Sequence, residues 1–184
     1  AEKVIDIKES AGGKSVEDLL KEALCLKIGV PYALMRDKKT SIDKYCTPSV
    51  IDGKVMVPLL LILDFIGYPY YIHPDGESYD ITTGTSVTYL SAGRDSINVD
   101  GEKIPLAVAP GYVKNSHDEQ VLVVAIDDIP SIFPGWLLTY DDMGLVIVYE
   151  DTTPDNTEDN TEIVNRKDNL DTMVDLMKKF IFDT

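Results

Sequence analysis

The chain has few of the side chains that bind metals. Of its 184 residues only two are histidines, two are cysteines and one is a tryptophan. A copper site needs several imidazoles, and a structural zinc site needs more ligands than two cysteines provide. His73 and His117 stand alone in the sequence, so we interpret both as surface residues. We therefore expect neither a bound metal nor a cofactor.

Positive charge and long apolar runs are also scarce. The chain has 17 Lys and Arg and 32 Asp and Glu, which gives a net charge of −15. Nucleic acids and anionic membranes both attract clustered Lys and Arg, so we expect neither as a partner. The most apolar run, VPLLLILDFIG at 57–67, is broken by Pro58 and Asp64. It is shorter than the roughly 20 residues that span a membrane, so we expect no membrane span.

Catalytic motifs are missing too. The sequence contains no Gly-rich phosphate loop, no G-x-S-x-G and no H-E-x-x-H. Ser116 and His117 are adjacent on a predicted turn, where they do not form a reliable nucleophile–base pair. The expectation is a protein that is not an enzyme.

The apolar run itself predicts a buried helix. Pro58 suits the first helical turn, where its missing N–H costs nothing, and Gly67 suits a helix C-terminus. We therefore predict a short helix over 58–66 that is apolar on nearly all sides.

Two halves of the chain, 26–82 and 90–149, repeat the same order of elements. Each half has a glycine, a hairpin, a proline, a turn, an apolar strand, a helix, a glycine and two further strands. The equivalent pairs are Gly29 with Gly93, Pro48 with Pro110, Val57 with Val123, Gly67 with Gly135 and Ile72 with Tyr140. Asp-Gly dipeptides at 51–54 and 99–103 predict tight hairpin turns. In the second half Pro130 is predicted to end or kink the helix.

The flanking segments have other patterns. Residues 1–25 are predicted as an extended segment and a helix, since SVEDLLKEALCL has Ser15 as N-cap and an apolar stripe. Residues 150–169 are acidic and low in complexity, which is typical of a linker. Residues 170–184 have the apolar spacing of an amphipathic helix.

The stretch VIDGKVMVPLLLILDFIGYPYYIHPDG resembles the copper amine oxidase N-terminal-like domain. That family has an Asn-Gly or Asp-Gly turn, then V-P-L-R-F, an A-L-G helix end and G-x-x-V-x-W. The resemblance covers about residues 26–149 in two copies. Leu60 replaces the usual Arg, Ile72 replaces the usual aromatic residue, and the second copy lacks the Pro at the helix start. The matching residues of the first copy are Gly53, Val57, Pro58, Leu59, Ile66, Gly67, Tyr70 and Ile72.

The resemblance implies an α+β fold with two pseudo-repeated units of antiparallel β-hairpins, each packing a short helix, plus the N- and C-terminal helices. Such domains are non-catalytic attachments or stalks of secreted and cell-surface bacterial proteins, without the copper ligands or the quinone. The tail DNLDTMVDLMKKFIFD is similar to the lead-in helix of heparinase-type polysaccharide lyases. We therefore expect an accessory module of a carbohydrate-active enzyme with a downstream catalytic domain. The alternative is an assembly or dimerisation module with no ligand of its own.

Aromatic residues are the best candidates for binding, because sugars stack on the faces of Tyr and Trp. Period-two alternation after Gly67 places Tyr71 and His73 opposite a buried pair, Tyr70 and Ile72. Tyr68 and Trp136 follow the two helices at corners of the chain. Tyr68, Tyr71 and Trp136 are the predicted ligand-binding residues. Since the net charge repels acidic polymers at long range, the expected ligand is a neutral polysaccharide.

The two cysteines have two possible states. If 27–35 and 39–43 form a hairpin that turns at RDKK, Cys46 falls opposite Ile28, within one turn of Cys25. A disulfide is then sterically plausible, and an exported protein would form it. Two buried thiols are the alternative.

Overall fold

The chain is seen in a computed structural model that describes residues 21–36, 38–140 and 145–150. These residues form fourteen strands in three antiparallel sheets and two short helices. The helices are α1 (Leu59–Ile66) and α2 (Ile129–Ile132). The strands are β1 (Leu24–Lys27), β2 (Tyr32–Met35), β3 (Lys38–Ser41), β4 (Ser49–Ile51), β5 (Lys54–Pro58), β6 (Tyr70–Ile72), β7 (Ser78–Thr83), β8 (Ser86–Ser91), β9 (Ser96–Val99), β10 (Glu102–Pro105), β11 (Gly111–Lys114), β12 (Gln120–Ala125), β13 (Trp136–Tyr140) and β14 (Leu145–Glu150).

The predicted α+β class is wrong, because the described residues are mostly β. The predicted N-terminal helix fails where it can be checked: Leu24, Cys25 and Leu26 form β1, a central strand between β14 and β2. All three side chains are fully buried. A short apolar run of this kind is compatible both with one face of a helix and with a strand that is buried on both sides. Pairing with the neighbouring strands determines which of the two forms. The earlier part of that helix, the linker over 151–169 and the helix over 170–184 lie outside the described residues.

Helix α1 confirms the buried helix predicted for the most apolar run, and it begins one residue later than expected. Pro58 is its N-cap with φ −67°. Gly67 ends it in the left-handed conformation at φ 87°, and its N–H donates to the Leu63 carbonyl oxygen at 2.8 Å. Five of its eight residues are buried. In the second copy a 3-10 turn, Ile126–Asp128, leads into α2. The second helix is degraded to four residues, as predicted, but Pro130 lies in its first turn, where proline is tolerated, and so does not end or kink it.

A four-stranded sheet combines one hairpin from each half of the chain. Its order is β11-β12-β5-β4, with Val124 opposite Val57 at the central pairing. The β4–β5 hairpin turns at Asp52 and Gly53, with φ 51° and 79°, and the β9–β10 hairpin turns at an equivalent Asp-Gly pair. Both Asp-Gly turns predicted from the sequence are confirmed. Positive φ at both central residues is the geometry that such dipeptides favour.

The two five-stranded sheets share one plan. Their orders are β13-β14-β1-β2-β3 and β6-β7-β8-β9-β10. If each half is taken to begin with its first strand, β1 or β8, then in each sheet a hairpin from the end of one half lies beside three strands from the start of the other half. The halves therefore exchange their last hairpins, and neither half completes a five-stranded sheet alone.

The same backbone hydrogen bonds recur in both halves. The Gly29 N–H donates to the Pro48 carbonyl oxygen at 3.0 Å, and the Gly93 N–H donates to the Pro110 carbonyl oxygen at 2.8 Å. These glycines have φ 79° and 78°. The sequence-based equivalences of Gly29 with Gly93 and of Pro48 with Pro110 thus have a matching bond in each copy.

Contacts between residues divide the chain into two compact units that do not coincide with the two repeats. One unit consists of Ile28–Tyr32 and Ser41–Leu138. It contains the four-stranded sheet, the sheet β6–β10 and both helices. The other contains Ala33–Thr40 together with the described parts of Ala1–Lys27 and Thr139–Thr184.

The left-handed glycine that ends α1 gives a test of the fold. A Cβ added at Gly67 meets nothing within 4 Å, so the cost of Gly67→Ala is conformational alone. We expect it to lower the free energy of unfolding by about 1 kcal/mol, measured by urea denaturation. Gly111→Ala is the matched control, because Gly111 also has open space around its Cα but no positive φ. Equal effects of the two substitutions would contradict the assigned helix end.

Candidate polysaccharide-binding face

The sheet β6–β10 has an apolar face and a polar face. On the apolar face Tyr79, Leu90 and Ile97 are buried. Because side chains alternate along a strand, the residues between them lie on the opposite side. The strand registers place five of these in one row across all five strands, and we call this side the polar face. The row is Tyr71, Asp80, Tyr89, Asn98 and Lys103.

One end of the row carries an aromatic cluster. Tyr71 is 57% exposed, and its ring meets the His73 ring edge-on at 5.2 Å between centroids. The His73 ring meets the Tyr89 ring in the same way at 5.7 Å. His73 Nε2 lies 3.0 Å from Asp80 Oδ2, a contact that becomes an ion pair when the imidazole is protonated. The two atoms are not oriented for a hydrogen bond between His73 Nε2 and the Asp80 carboxylate. The three rings therefore form a continuous patch.

A hydrogen-bond network on the same side of the sheet holds Tyr89 in place. The Tyr89 hydroxyl donates to Ser78 Oγ at 3.1 Å, and Ser78 Oγ donates to Asp75 Oδ2 at 2.9 Å. Ser91 Oγ lies 3.1 Å from the same Ser78 oxygen. Hydrogen bonds from the Glu77 N–H and from Ser78 lower the pKa of Asp75, which keeps it an ionised acceptor. A ring fixed in this way loses little side-chain entropy when a ligand binds.

A groove of about 280 Å³ continues the polar face beyond Tyr89. The Asn98 Oδ1 accepts the Gly101 N–H at 2.8 Å, so the amide nitrogen is the group that Asn98 offers to a ligand. Within the described part of the chain no carboxylate lines the groove. The lining residues are Tyr89, Arg94, Ser96, Ile97, Asn98 and Lys103.

A second groove, of about 320 Å³, is less suited to binding a polymer. It contains no aromatic residue among those described, and its one cation, Lys114, already pairs with Asp118 at 3.2 Å. Cys46 lies at its floor with 5% of its surface exposed. Burial raises the pKa of the Cys46 thiol to about 11. The lining residues are Pro31, Asp43, Cys46, Thr47, Lys114, Asn115 and Ser116.

The structure does not bring the three predicted aromatic residues together. Trp136 is 7% exposed and meets the Phe65 ring edge-on at 5.6 Å. Tyr68 is half-buried and stacks on Phe133 at 6.2 Å. Trp136 thus belongs to the core and its faces are not open to a sugar. Only Tyr71 lies on the polar face.

The prediction that Tyr70 and Ile72 are buried is wrong. They lie on the apolar side of the sheet, as the alternation indicates, but each is 39% exposed. The reason is that β6 is an edge strand with a neighbour on one side only.

Five polar or aromatic residues that line the groove were missed by sequence reasoning. Short turns follow β6, β7 and β9, and they indicate that consecutive strands pair as antiparallel neighbours. The residues that lie opposite each other can then be counted from one strand to the next. Counting across these turns aligns Tyr71 with Asp80 and then with Tyr89. The missed residues are Tyr89, Arg94, Ser96, Asn98 and Lys103.

The cysteines are buried thiols in the structure. The β2–β3 hairpin turns near Arg36 as expected, but Ile28 belongs to neither strand. The chain leaves the sheet at Gly29, whose N–H bonds to Pro48. Whether a Cys25–Cys46 bridge forms after export stays a prediction.

Comparison with protein-family models, curated proteins and solved structures gives no match for the chain. The resemblance to the copper amine oxidase N-terminal-like domain therefore remains a prediction from sequence. Among the described residues no helix is long and apolar enough to cross a membrane. The described ranges also contain no cluster of three or more His, Cys, Asp or Glu that could hold a metal ion.

Core and surface aromatic residues should respond differently to truncation. Trp136→Ala removes a buried ring, so we expect a loss of roughly 3 to 5 kcal/mol in the free energy of unfolding. Tyr71→Ala truncates an exposed ring and should change it by no more than about 0.5 kcal/mol. Chemical denaturation of both variants checks this. A Trp136→Ala protein as stable as the wild type would contradict the burial of Trp136 in the core.

The buried thiol of Cys46 predicts a pH dependence. Its pKa rises from 9.0 in the unfolded chain to about 11 in the folded protein, so the folded state holds the proton more tightly. The resulting stabilisation is complete below pH 9 and is lost as the pH rises toward 11. We expect stability to fall less steeply between pH 9 and 11 in Cys46→Ala than in the wild type, measured by urea denaturation. Parallel pH profiles would contradict the burial of this thiol.

Proposed function

We propose that the chain is a non-catalytic accessory module that binds a polysaccharide through the polar face of the sheet β6–β10. The observation that carries this proposal is the exposed Tyr71 ring, joined to Tyr89 through the His73 ring, with a donor-lined groove on the same face. The module belongs to a secreted or cell-surface bacterial protein and serves a carbohydrate-active catalytic domain downstream.

The dimensions of the polar face favour a polymer over a single sugar. Its row of residues crosses five strands, and neighbouring strands lie about 4.8 Å apart, so the row is about 19 Å long. Tyr71 and Tyr89 provide apolar ring surface with polar edges, which suits the mixed apolar and hydroxylated faces of sugar rings. Asn98 in the row and Ser96 beside it in the groove provide hydrogen-bonding groups.

The alternative is an assembly module, and the edge strand β6 supports it. Its outer edge has no strand neighbour among the described residues, and Tyr70, Tyr71 and Ile72 are all exposed. Edge strands with apolar side chains pair with other chains. Concentration-dependent dimerisation that is abolished by Ile72→Lys, on a protein that binds no polymer, would favour this alternative.

Affinity electrophoresis through gels that contain soluble polysaccharides tests the binding proposal. We expect at least one polymer to retard the wild type, and Tyr71→Ala to weaken this binding by about fivefold to tenfold, because a stacking ring is lost. Val50→Ala is the control, since Val50 is 54% exposed but lies on β4 of the four-stranded sheet. Its retardation should equal that of the wild type. Retardation by no polymer, or retardation unchanged in Tyr71→Ala, would contradict the proposal.

A further inference from the structure

The groove beside Tyr89 departs from the charge balance of the rest of the chain. Acidic residues outnumber basic ones by 32 to 17 overall, yet the groove has two cations, Arg94 and Lys103, and no acidic residue among its described lining. Within the described ranges neither cation has a carboxylate within salt-bridge distance. Two cations that pair with no carboxylate of the described ranges are a feature that solubility does not require.

The hydrogen-bonding groups of the groove are mostly donors. Arg94 offers a planar fork of N–H groups and Lys103 an ammonium. The Asn98 carbonyl oxygen is already occupied by the Gly101 N–H, which leaves its amide N–H groups. The complementary ligand is therefore rich in acceptors and negatively charged, since charge-assisted hydrogen bonds to Arg are the strong ones.

We infer that the groove binds an anionic group, a carboxylate or a sulfate, on the sugar units of an acidic polysaccharide. This inference rests on the proposed function, and it replaces the neutral polymer expected from the sequence. Lys103 lies two strands from Tyr89, at about 10 Å. One sugar unit then stacks on the tyrosines while the charge of a neighbouring unit meets Arg94 and Lys103.

The net charge of −15 does not prevent this binding. At physiological ionic strength the Debye length is about 8 Å, so carboxylates farther from the groove are largely screened. The two cations in direct contact with the ligand are screened much less. Net charge therefore slows the approach of an acidic polymer, and the local cations hold it once bound.

The small number of cations also separates this ligand from nucleic acid. A nucleic acid carries a phosphate on every nucleotide, and binding it rests on neutralising many phosphates at once. Two cations in a protein of this net charge are too few. A polysaccharide with one charge per sugar, held also by ring stacking, fits the groove better.

Affinity electrophoresis with polymers that differ only in charge tests the inference. Polygalacturonate is compared with its fully methyl-esterified form, and dextran sulfate with dextran. We expect an acidic polymer to bind the wild type about tenfold or more tightly than its neutral partner. The double variant Arg94→Ala/Lys103→Ala should lose this preference while Tyr71→Ala weakens binding to both forms. The single variant Arg94→Lys should retain part of the preference for the acidic polymer, because lysine keeps the positive charge but lacks the planar fork of N–H donors of arginine.

The matched control is Lys54→Ala/Lys114→Ala, which removes the same charge from two exposed lysines outside the groove. It should bind as the wild type does. Equal binding of neutral and acidic polymers that is still weakened in Tyr71→Ala would overturn the inference and leave the proposed function intact. Binding of none of the four polymers would overturn both. Tighter binding of single-stranded DNA than of polygalacturonate would assign the groove to a different macromolecule.

Discussion

The pairing of β7 with β8 is the constraint on which the binding face depends. Six residue pairs, from Ser78 with Ser91 to Thr83 with Ser86, join the last hairpin of the first half to the first strand of the second. Because side chains alternate, a slip of one residue would turn every side chain of β8 to the opposite face. Tyr89 would then enter the core, and Leu90, which is fully buried, would face solvent. The burial of Leu90 and Ile81 therefore fixes the position of Tyr89 beside His73 and Asp80.

The division of the sheet into two faces also explains how a polar site persists on a small protein. The apolar face provides the stability, since its central residues are almost fully buried. The polar face is then free to carry groups that contribute little to folding, such as Arg94 and Lys103. The bonds from Tyr89 to Ser78 and from Ser78 to Asp75 orient a binding ring on the polar face, since Ser78 lies on the same side of the sheet as Tyr89. Binding groups on a paired sheet are held more rigidly than groups on a loop.

Local signals in the sequence predicted much of this structure, and longer-range pairing did not follow from them. The helix after Val57, both Asp-Gly turns and the equivalence of the two glycine–proline pairs depend on a few adjacent residues. The fold class was wrong because Leu24–Lys27 has an apolar pattern that a helix and a central strand both satisfy, and its partner β14 lies more than a hundred residues away. The sequence predicts a partly exposed Trp136, because its position after Gly135 indicates a corner. Its burial against Phe65 depends on packing that spacing does not encode.

The central claim is that ligand binding takes place on the polar face of the sheet β6–β10. Its most direct test is a titration of ¹⁵N-labelled protein with oligogalacturonides, followed by backbone amide chemical shifts. The account predicts saturable shifts concentrated at Tyr71, Tyr89, Arg94, Asn98 and Lys103, with little change in the four-stranded sheet. Shifts centred on the groove around Cys46 and Lys114, or no saturable shift at any amide, would contradict it.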